Sequence, residues 1–365
     1  YSHVIPDLYG FSLETANKDV ETSAYIMGRL ASVLNDPDEY ATFARGFMRD
    51  DESVEMILEY LLPNTTFNTA RLSSDTRQVV KDMVPEILRA TSSGAVCESF
   101  GQQMQAKINE LFWEDDRFTR GYSEEGLIIG SKENIEGAMW MNPQCWGVIS
   151  RMSTPEQAEK SMQTVYEKLN TPWGIEVMGP CYKEHYFDGA LMKLFNPTTK
   201  ENGGIFCQPQ GWAILAESLL GHGGRAFEYF TESCPAAYND RAELREIEPY
   251  VHGQFIEGHE SPQPGRSHVH WLTGTASTVM VGCVEGILGL RPTPEGLVIS
   301  PAIPAEWDGF TMDKTFRGKR LHIVVDNAAH HEGGVEKLYL NGTQIPVGVI
   351  ADEKLTDGAE IKVVM

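Results

Sequence analysis

The stretch "GILGLRPTPEGLVISPAIP", Gly286 to Pro304, is where this chain changes texture. Upstream of it, apolar residues recur at helical spacing. In "STPEQAEKSMQTVYEKL", Ser153 to Leu169, Ala158, Met162, Val165 and Leu169 make one stripe. Thr154 with Gln157 reads as a capping box, and Pro155 takes the first turn. "VCESFGQQMQAKINELFW" repeats Phe100, Met104, Ile108 and Leu111 in the same way. "NDPDEYATFARGF" offers Asp36 as N-cap before Tyr40, Phe43 and Phe47. "GWAILAESLLGHGG" reads as a buried helix that Gly221 ends, with "GHGGR" as a helix-to-helix turn. Downstream, "GFTMDKTFRGKRLHIVVDN" alternates Leu321, Ile323 and Val325 with polar neighbours. Asn341-Gly342 between apolar flanks is a hairpin turn signal. The expectation is a mainly α chain: a helical domain over 1–288, then a small β domain over 289–365. Helices and strands segregated in this way argue against a doubly wound sheet. Helix lengths vary without a fixed period, which argues against a short-repeat solenoid.

Composition narrows the function classes. The chain has 365 residues with 52 acidic against 30 basic side chains, a formal charge of −22. With no long basic stripe, nucleic acid and anionic membrane are poor partners, and no apolar run approaches the roughly 20 residues that span a bilayer. The start "YSHVIPDLYG" lacks the basic and apolar regions of a signal peptide. Six cysteines are scattered without a CxxC pair, several inside apolar stretches such as "PQCWGV". This usage fits reduced thiols in a cytoplasmic protein. Neither GxGxxG after a strand nor GxxxxGK[ST] occurs, so the usual phosphate loops are absent.

Polar residues concentrate in three places. "KENGGIFCQPQGW", Lys200 to Trp212, sets a cation and an anion before a Gly pair that lets another group approach the backbone. "EPYVHGQFIEGHESP" carries His252, Gln254 and Glu257. "GRSHVHWLTGTAS" crowds His268, His270, Thr273, Gly274 and Thr275 around Trp271. Amides, hydroxyls, charges and aromatic faces together suit a carbohydrate, which needs many directional hydrogen bonds and a flat apolar surface. On composition alone Lys200-Glu201 reads first as solvated surface charge, and His268-Val-His270 as a weak metal pattern, so no metal is expected. Thr273-Gly274-Thr275 reads as a helix start, and a helix start is an anion site.

Three stretches resemble the phosphorylases of glycoside hydrolase family 94: "KENGGIFC", "PYVHGQFIEGHESPQPGRSHVHWLTGTAS", and the tail from "GILGLRP" to "FRGKRLHIVVDN". The resemblance covers roughly residues 97 to 365. It implies an (α/α)6 barrel followed by a β-sandwich-like domain, usually in a homodimer. It also implies inverting phosphorolysis of β-glucosides: phosphate and a cellodextrin give α-glucose 1-phosphate and a shortened chain, with no metal or organic cofactor. Cellobiose, laminaribiose and chitobiose phosphorylases are the neighbouring alternatives. Carried over residue by residue, Lys200, Glu201 and Gln254 would bind the donor sugar, with Phe195 as an aromatic wall. Thr273 and Gly274 would bind phosphate, joined by Gln208 where disaccharide phosphorylases place a histidine. That glutamine tilts the resemblance toward cellodextrin phosphorylase. The family's general acid ends a "DWND"-like motif that this sequence lacks; Trp307-Asp308 stands in the β region, and Asp7 in "VIPDLYG" is the nearest imitation. Family members are also about twice this length or more, so the resemblance implies the C-terminal portion of such an enzyme. A catalytically incomplete, carbohydrate-binding portion that needs a partner segment is the rival reading from another class.

Overall fold

The structure is a computed structural model that describes residues 94–365 apart from 124–125 and 186–190. Asp7 and the helix expected from Asp36 lie outside the described residues. The helices are α1 (Gly94–Phe112), α2 (Met141–Ile149), α3 (Pro155–Leu169), α4 (Gln210–Leu220), α5 (Gly223–Ser233), the short α6 (Ala242–Arg245) and α7 (Thr275–Val281). A π-helical stretch, Gly282–Ile287, continues α7. Every strand from Leu290 onward belongs to the β region. Helical domain then β domain is thus the observed order. Residues 104–365 form one compact unit.

Local sequence explains the starts and stops. At α3 the Gln157 N–H donates to Thr154 Oγ1 at 3.3 Å, and the Thr154 N–H donates to Gln157 Oε1 at 2.9 Å. The stripe behind that box is buried: Met162 and Val165 are wholly covered, with Ala158 and Leu169 nearly so. The stripe of α1 is less covered, since Met104 and Leu111 stay exposed. Gly221 ends α4 in the left-handed conformation at φ 84°, where its missing Cβ removes the penalty.

The β region has two sheets. The smaller joins β6 (Leu290–Thr293), β7 (Gly296–Ile299) and β12 (Val349–Ala351). The larger orders as β8-β9-β13-β10-β11 and uses Gly309–Phe316, Lys319–Asp326, Lys337–Leu340, Thr343–Ile345 and Ala359–Val364 as β8, β9, β10, β11 and β13. The β9–β13 pair is parallel and the others are antiparallel. Leu321, Ile323 and Val325 of β9 point inward, as their alternation predicts, and join Leu290, Leu297 and Ile350 in one core with the helices. Asn341 and Gly342 both have positive φ, 49° and 78°, which is the type I′ geometry expected between β10 and β11. Against the helices this region packs without slack: a Cβ on Gly223, at the start of α5, would sit 2.1 Å from the Ile303 carbonyl oxygen.

Candidate functional site

Helix α4 and the α7 helix with its π extension run side by side in the same direction. Gly211 abuts Thr278, Gly282 abuts Ile214, and Gly286 abuts Ser218. Their starts therefore lie at one end, and the loops leading into them meet there. A small sheet holds those loops: β3 (Ile205–Phe206), β4 (Gly253–Ile256) and β5 (Ser267–His270), with β4 in the middle. Phe255 lies opposite both Phe206 and His268. The Cys207 N–H donates to the Gln254 carbonyl at 2.9 Å.

The three polar segments named from the sequence are brought together by this sheet. Lys200 adopts φ 48°, and its ammonium lies 5.3 Å from the Phe195 ring centre and 6.0 Å from that of Phe255. Phe255 stacks flat on the His268 imidazole at 4.8 Å, and His268 Nε2 sits 2.6 Å from Glu257 Oε1. Glu201 is half-buried, and its Oε2 is fully covered with no hydrogen-bond partner among the described residues. An acceptor kept dry and unpaired costs stability, on the order of 1–3 kcal/mol, and a ligand hydroxyl would supply the missing bond. The glycines behave as the sequence implied. A Cβ on Gly204 would fall 2.6 Å from the Lys200 N, and one on Gly203 2.5 Å from the Cys181 Cβ, so only this pair closes the turn.

Gln208, Thr273 and Gly274 form the other end of the arrangement. A Cβ on Gly274 would lie 3.4 Å from the Gln208 amide, and the Thr278 hydroxyl donates to the Gln208 carbonyl at 2.8 Å. Thr273 Oγ1 accepts the Thr275 N–H at 3.1 Å, so the turn is held by its own hydroxyl while α7 begins at Thr275 with Gly274 as its cap. Gln254 is half-exposed on β4, one residue before Phe255, and its carbonyl accepts the Cys207 N–H. His268 and His270 each take a separate carboxylate, Glu257 at 2.6 Å and Glu248 at 3.5 Å, and no cluster of metal-ligating side chains occurs among the described residues. Cys145, Cys181, Cys207, Cys234 and Cys283 are free thiols, and burial pushes Cys207 up to about 12 and Cys283 to about 11.

Several positioning residues escaped the sequence reading. Wholly buried Asn202 accepts the Tyr182 N–H at 2.7 Å and donates to the carbonyls of Tyr182 and Phe195, which ties the aromatic wall to the Lys200 turn. Gln210 uses its whole amide on backbone: it accepts the Ile175 N–H at 2.9 Å and donates to the Ile175 and Phe206 carbonyls. Glu176 is buried, and Oε1 accepts the His259 N–H and meets His259 Nδ1, both at 2.8 Å. Burial raises the Glu176 carboxyl above its ordinary value, opposed by these bonds. A recurrence could have exposed Gln210: Pro143-Gln144-Cys145-Trp146 and Pro209-Gln210-Gly211-Trp212 share the pattern PQxW.

With this geometry in place, the likeness to known proteins can be stated. The description "Glycosyl hydrolase 94 superfamily, catalytic domain" matches residues 89–289, and "Glycosyl hydrolase family 65, C-terminal domain" matches 290–331. This chain belongs to the glycosyl hydrolase 94 superfamily. An N,N'-diacetylchitobiose phosphorylase of Vibrio furnissii is 34% identical over 266 residues, covering 71% of this chain and 33% of that protein. One from Vibrio proteolyticus is 33% identical over 249 residues, covering 67% and 31%. A solabiose phosphorylase of Paenibacillus borealis is 26% identical over 282 residues, covering 77% and 37%. The chain thus spans about a third of the length of these curated relatives.

Proposed function

We propose that this chain carries the sugar and phosphate half of an inverting glycoside phosphorylase, acting on cellodextrins, within what would be part of an (α/α)6 barrel. The observation that carries the reading is the convergence on one small sheet of Lys200, unpaired Glu201, Gln254 and Phe195 with Gln208, Thr273 and Gly274. Lys200 donates to sugar hydroxyls and Glu201 accepts from them, against the Phe195 and Phe255 rings. Gln208, Thr273 and the Gly274 turn hold phosphate beside the anomeric carbon. A phosphate oxygen gives its electron pair to that carbon from the face opposite the leaving group. The glycosidic C–O bond breaks, its electrons pass to the leaving oxygen, and that oxygen takes a proton from a carboxylic acid. Only one protein acid is required, because phosphate is the nucleophile; a hydrolase would need a second carboxylate about 6.5–9.5 Å away to activate water. Asp7 is the sequence's nominee for the acid. The products are α-glucose 1-phosphate and a chain shortened by one unit, without a metal or organic cofactor. A homodimer in a reducing, cytoplasmic setting belongs to the same reading, in keeping with the free thiols.

The names of the relatives favour a second reading, in which the sugar is an N-acetylated disaccharide unit. Synthesis in reverse separates the two. The chain is incubated with α-glucose 1-phosphate and cellobiose, or with N-acetylglucosamine and its 1-phosphate, and phosphate release is followed. Release with cellobiose alone supports the cellodextrin reading, and release with the N-acetyl pair alone replaces it. Binding of cellodextrin without release from either pair identifies an incomplete portion that needs a partner segment.

A further inference from the structure

The Lys200 ammonium rests on aromatic rings. Among the described residues it takes no hydrogen bond or ion pair, and it lies 5.3 Å from the Phe195 ring centre and 6.0 Å from that of Phe255. A cation held in this way sits where the ring planes put it, because the attraction acts over the face of a ring. What fixes the Phe255 plane therefore helps to fix the ammonium. Phe255 on β4 lies directly opposite His268 on β5, and the two rings are within 8° of parallel at 4.8 Å. The imidazole is tied down in turn. Its Nε2 meets Glu257 Oε1 at 2.6 Å, and the Ser261 hydroxyl donates to the other oxygen of that carboxylate. Glu257 follows β4 directly, its N–H donates to the Arg266 carbonyl at 2.9 Å, and its side chain is only 13% exposed.

We infer that Glu257 and His268 are positioning residues for the Lys200 ammonium, an inference that rests on the phosphorylase reading of the Lys200 turn. Neither has to touch the ligand. Glu257 orients the imidazole through Nε2, the imidazole lays its flat face on Phe255, and Phe255 offers its ring to Lys200. His270, on the same strand, supplies the contrast: it is exposed, stands 3.5 Å from Glu248, and stacks on no ring among the described residues. Between the two histidines Val269 adopts φ 55°. That conformation is costly for a β-branched residue and persists where the surrounding contacts over-determine it. The pair thus explains why this His-Val-His segment carries a carboxylate on each histidine but a stacked ring on one alone.

Two measurements on the same variants test the assignment, with thermal unfolding as the folding control. In the first, the lysines are dimethylated with isotope-labelled carbon, which keeps their charge, and the Lys200 signal, identified by its loss in Lys200→Arg, is followed by NMR without ligand. Ring currents should displace it from the free-lysine position. His268→Ala and Glu257→Ala should move it back, while His268→Phe, which keeps a flat ring, should hold it. In the second, α-glucose 1-phosphate is titrated calorimetrically. His268→Ala should weaken binding about fivefold and His268→Phe by less than about twofold. In a Lys200→Ala background His268→Ala should add less than about twofold, because effects that act through one group do not add. A Lys200 signal unmoved by His268→Ala, or the full loss of affinity persisting in the Lys200→Ala background, overturns the inference. A signal that moves as expected, in a chain whose Lys200→Ala variant binds the sugar phosphate undiminished, supports the positioning and strikes the functional reading instead.

Discussion

Two helix starts in this molecule share a sequence pattern and a job, and the loops that lead into them carry different chemistry. At α2, Gln144 accepts the Phe118 N–H at 2.8 Å and donates to the carbonyls of Phe118 and Trp140. At α4, Gln210 does the same to Ile175 and Phe206. Trp146 and Trp212, two residues on in each case, meet edge to face at 5.4 Å. In both, a wholly buried amide pins a loop to the helix below it. The loops then part. Ahead of α2, Arg117 is consumed by Asp116 and the Ala138 carbonyl. Ahead of α4, Lys200 is held in a left-handed turn against two aromatic rings, and Glu201 keeps a dry, unpaired oxygen. Both starts leave a polar atom dry, Asn142 Oδ1 at α2 and Glu201 Oε2 ahead of α4, and only the second is a carboxylate next to an ammonium held on aromatic rings.

The strongest attack on this comparison is on the shared clamps. Gln144→Ala and Gln210→Ala should each cost about 3 kcal/mol, because each strands three buried backbone groups. Denaturant midpoints check this, and a large inequality between them would break the equivalence. Next is Glu201→Gln, which removes a poorly solvated charge: stability should hold or rise by up to about 1 kcal/mol while cellodextrin affinity falls by roughly tenfold or more. Loss of stability with unchanged affinity would mark Glu201 as structural. Gln208→His sharpens the division within the site. It should change the Michaelis constant for phosphate more than that for the oligosaccharide, and equal changes would remove Gln208 from the phosphate edge.

A further effect lies away from both loops. Glu232 on α5 is raised by burial from 4.5 to about 7, with Asn170 donating to one oxygen at 3.2 Å. Between those two pH values the folded chain binds more protons than the unfolded, so stability falls as pH rises through the window. Glu232→Gln should raise Tm by a few degrees above pH 7 and leave it unchanged below pH 4.5. A gain independent of pH would contradict the assignment.

The sequence made regular structure legible where local rules act alone. The Thr154–Gln157 box, the Gly221 stop, the Asn341-Gly342 turn and the alternation of β9 all appear as read. The polar composition of the three site segments was legible too, because charges beside a Gly pair are visible in one dimension. What stayed hidden was pairing between distant segments. Glu176 looks like an ordinary carboxylate in "WGIEVMGP" until its partner, 83 residues away, is placed on it. Asn202 likewise reads as part of the Lys200 turn, although its amide serves Tyr182 and Phe195. A cavity of about 500 Å3 bordered by Thr198, Gly203, Glu176 and His259 draws on the loops ahead of α2, α4 and α7 and on Lys168 of α3, so no single stretch announces it.

The central claim is that the Lys200 turn and the Gln208–Gly274 contact form one site for a sugar phosphate. Its most direct test is a calorimetric titration of α-glucose 1-phosphate into the chain and into Lys200→Ala and Gln208→Ala. The account predicts one site per chain, weakened by about tenfold in either variant. No binding, or binding that neither substitution alters, would contradict it.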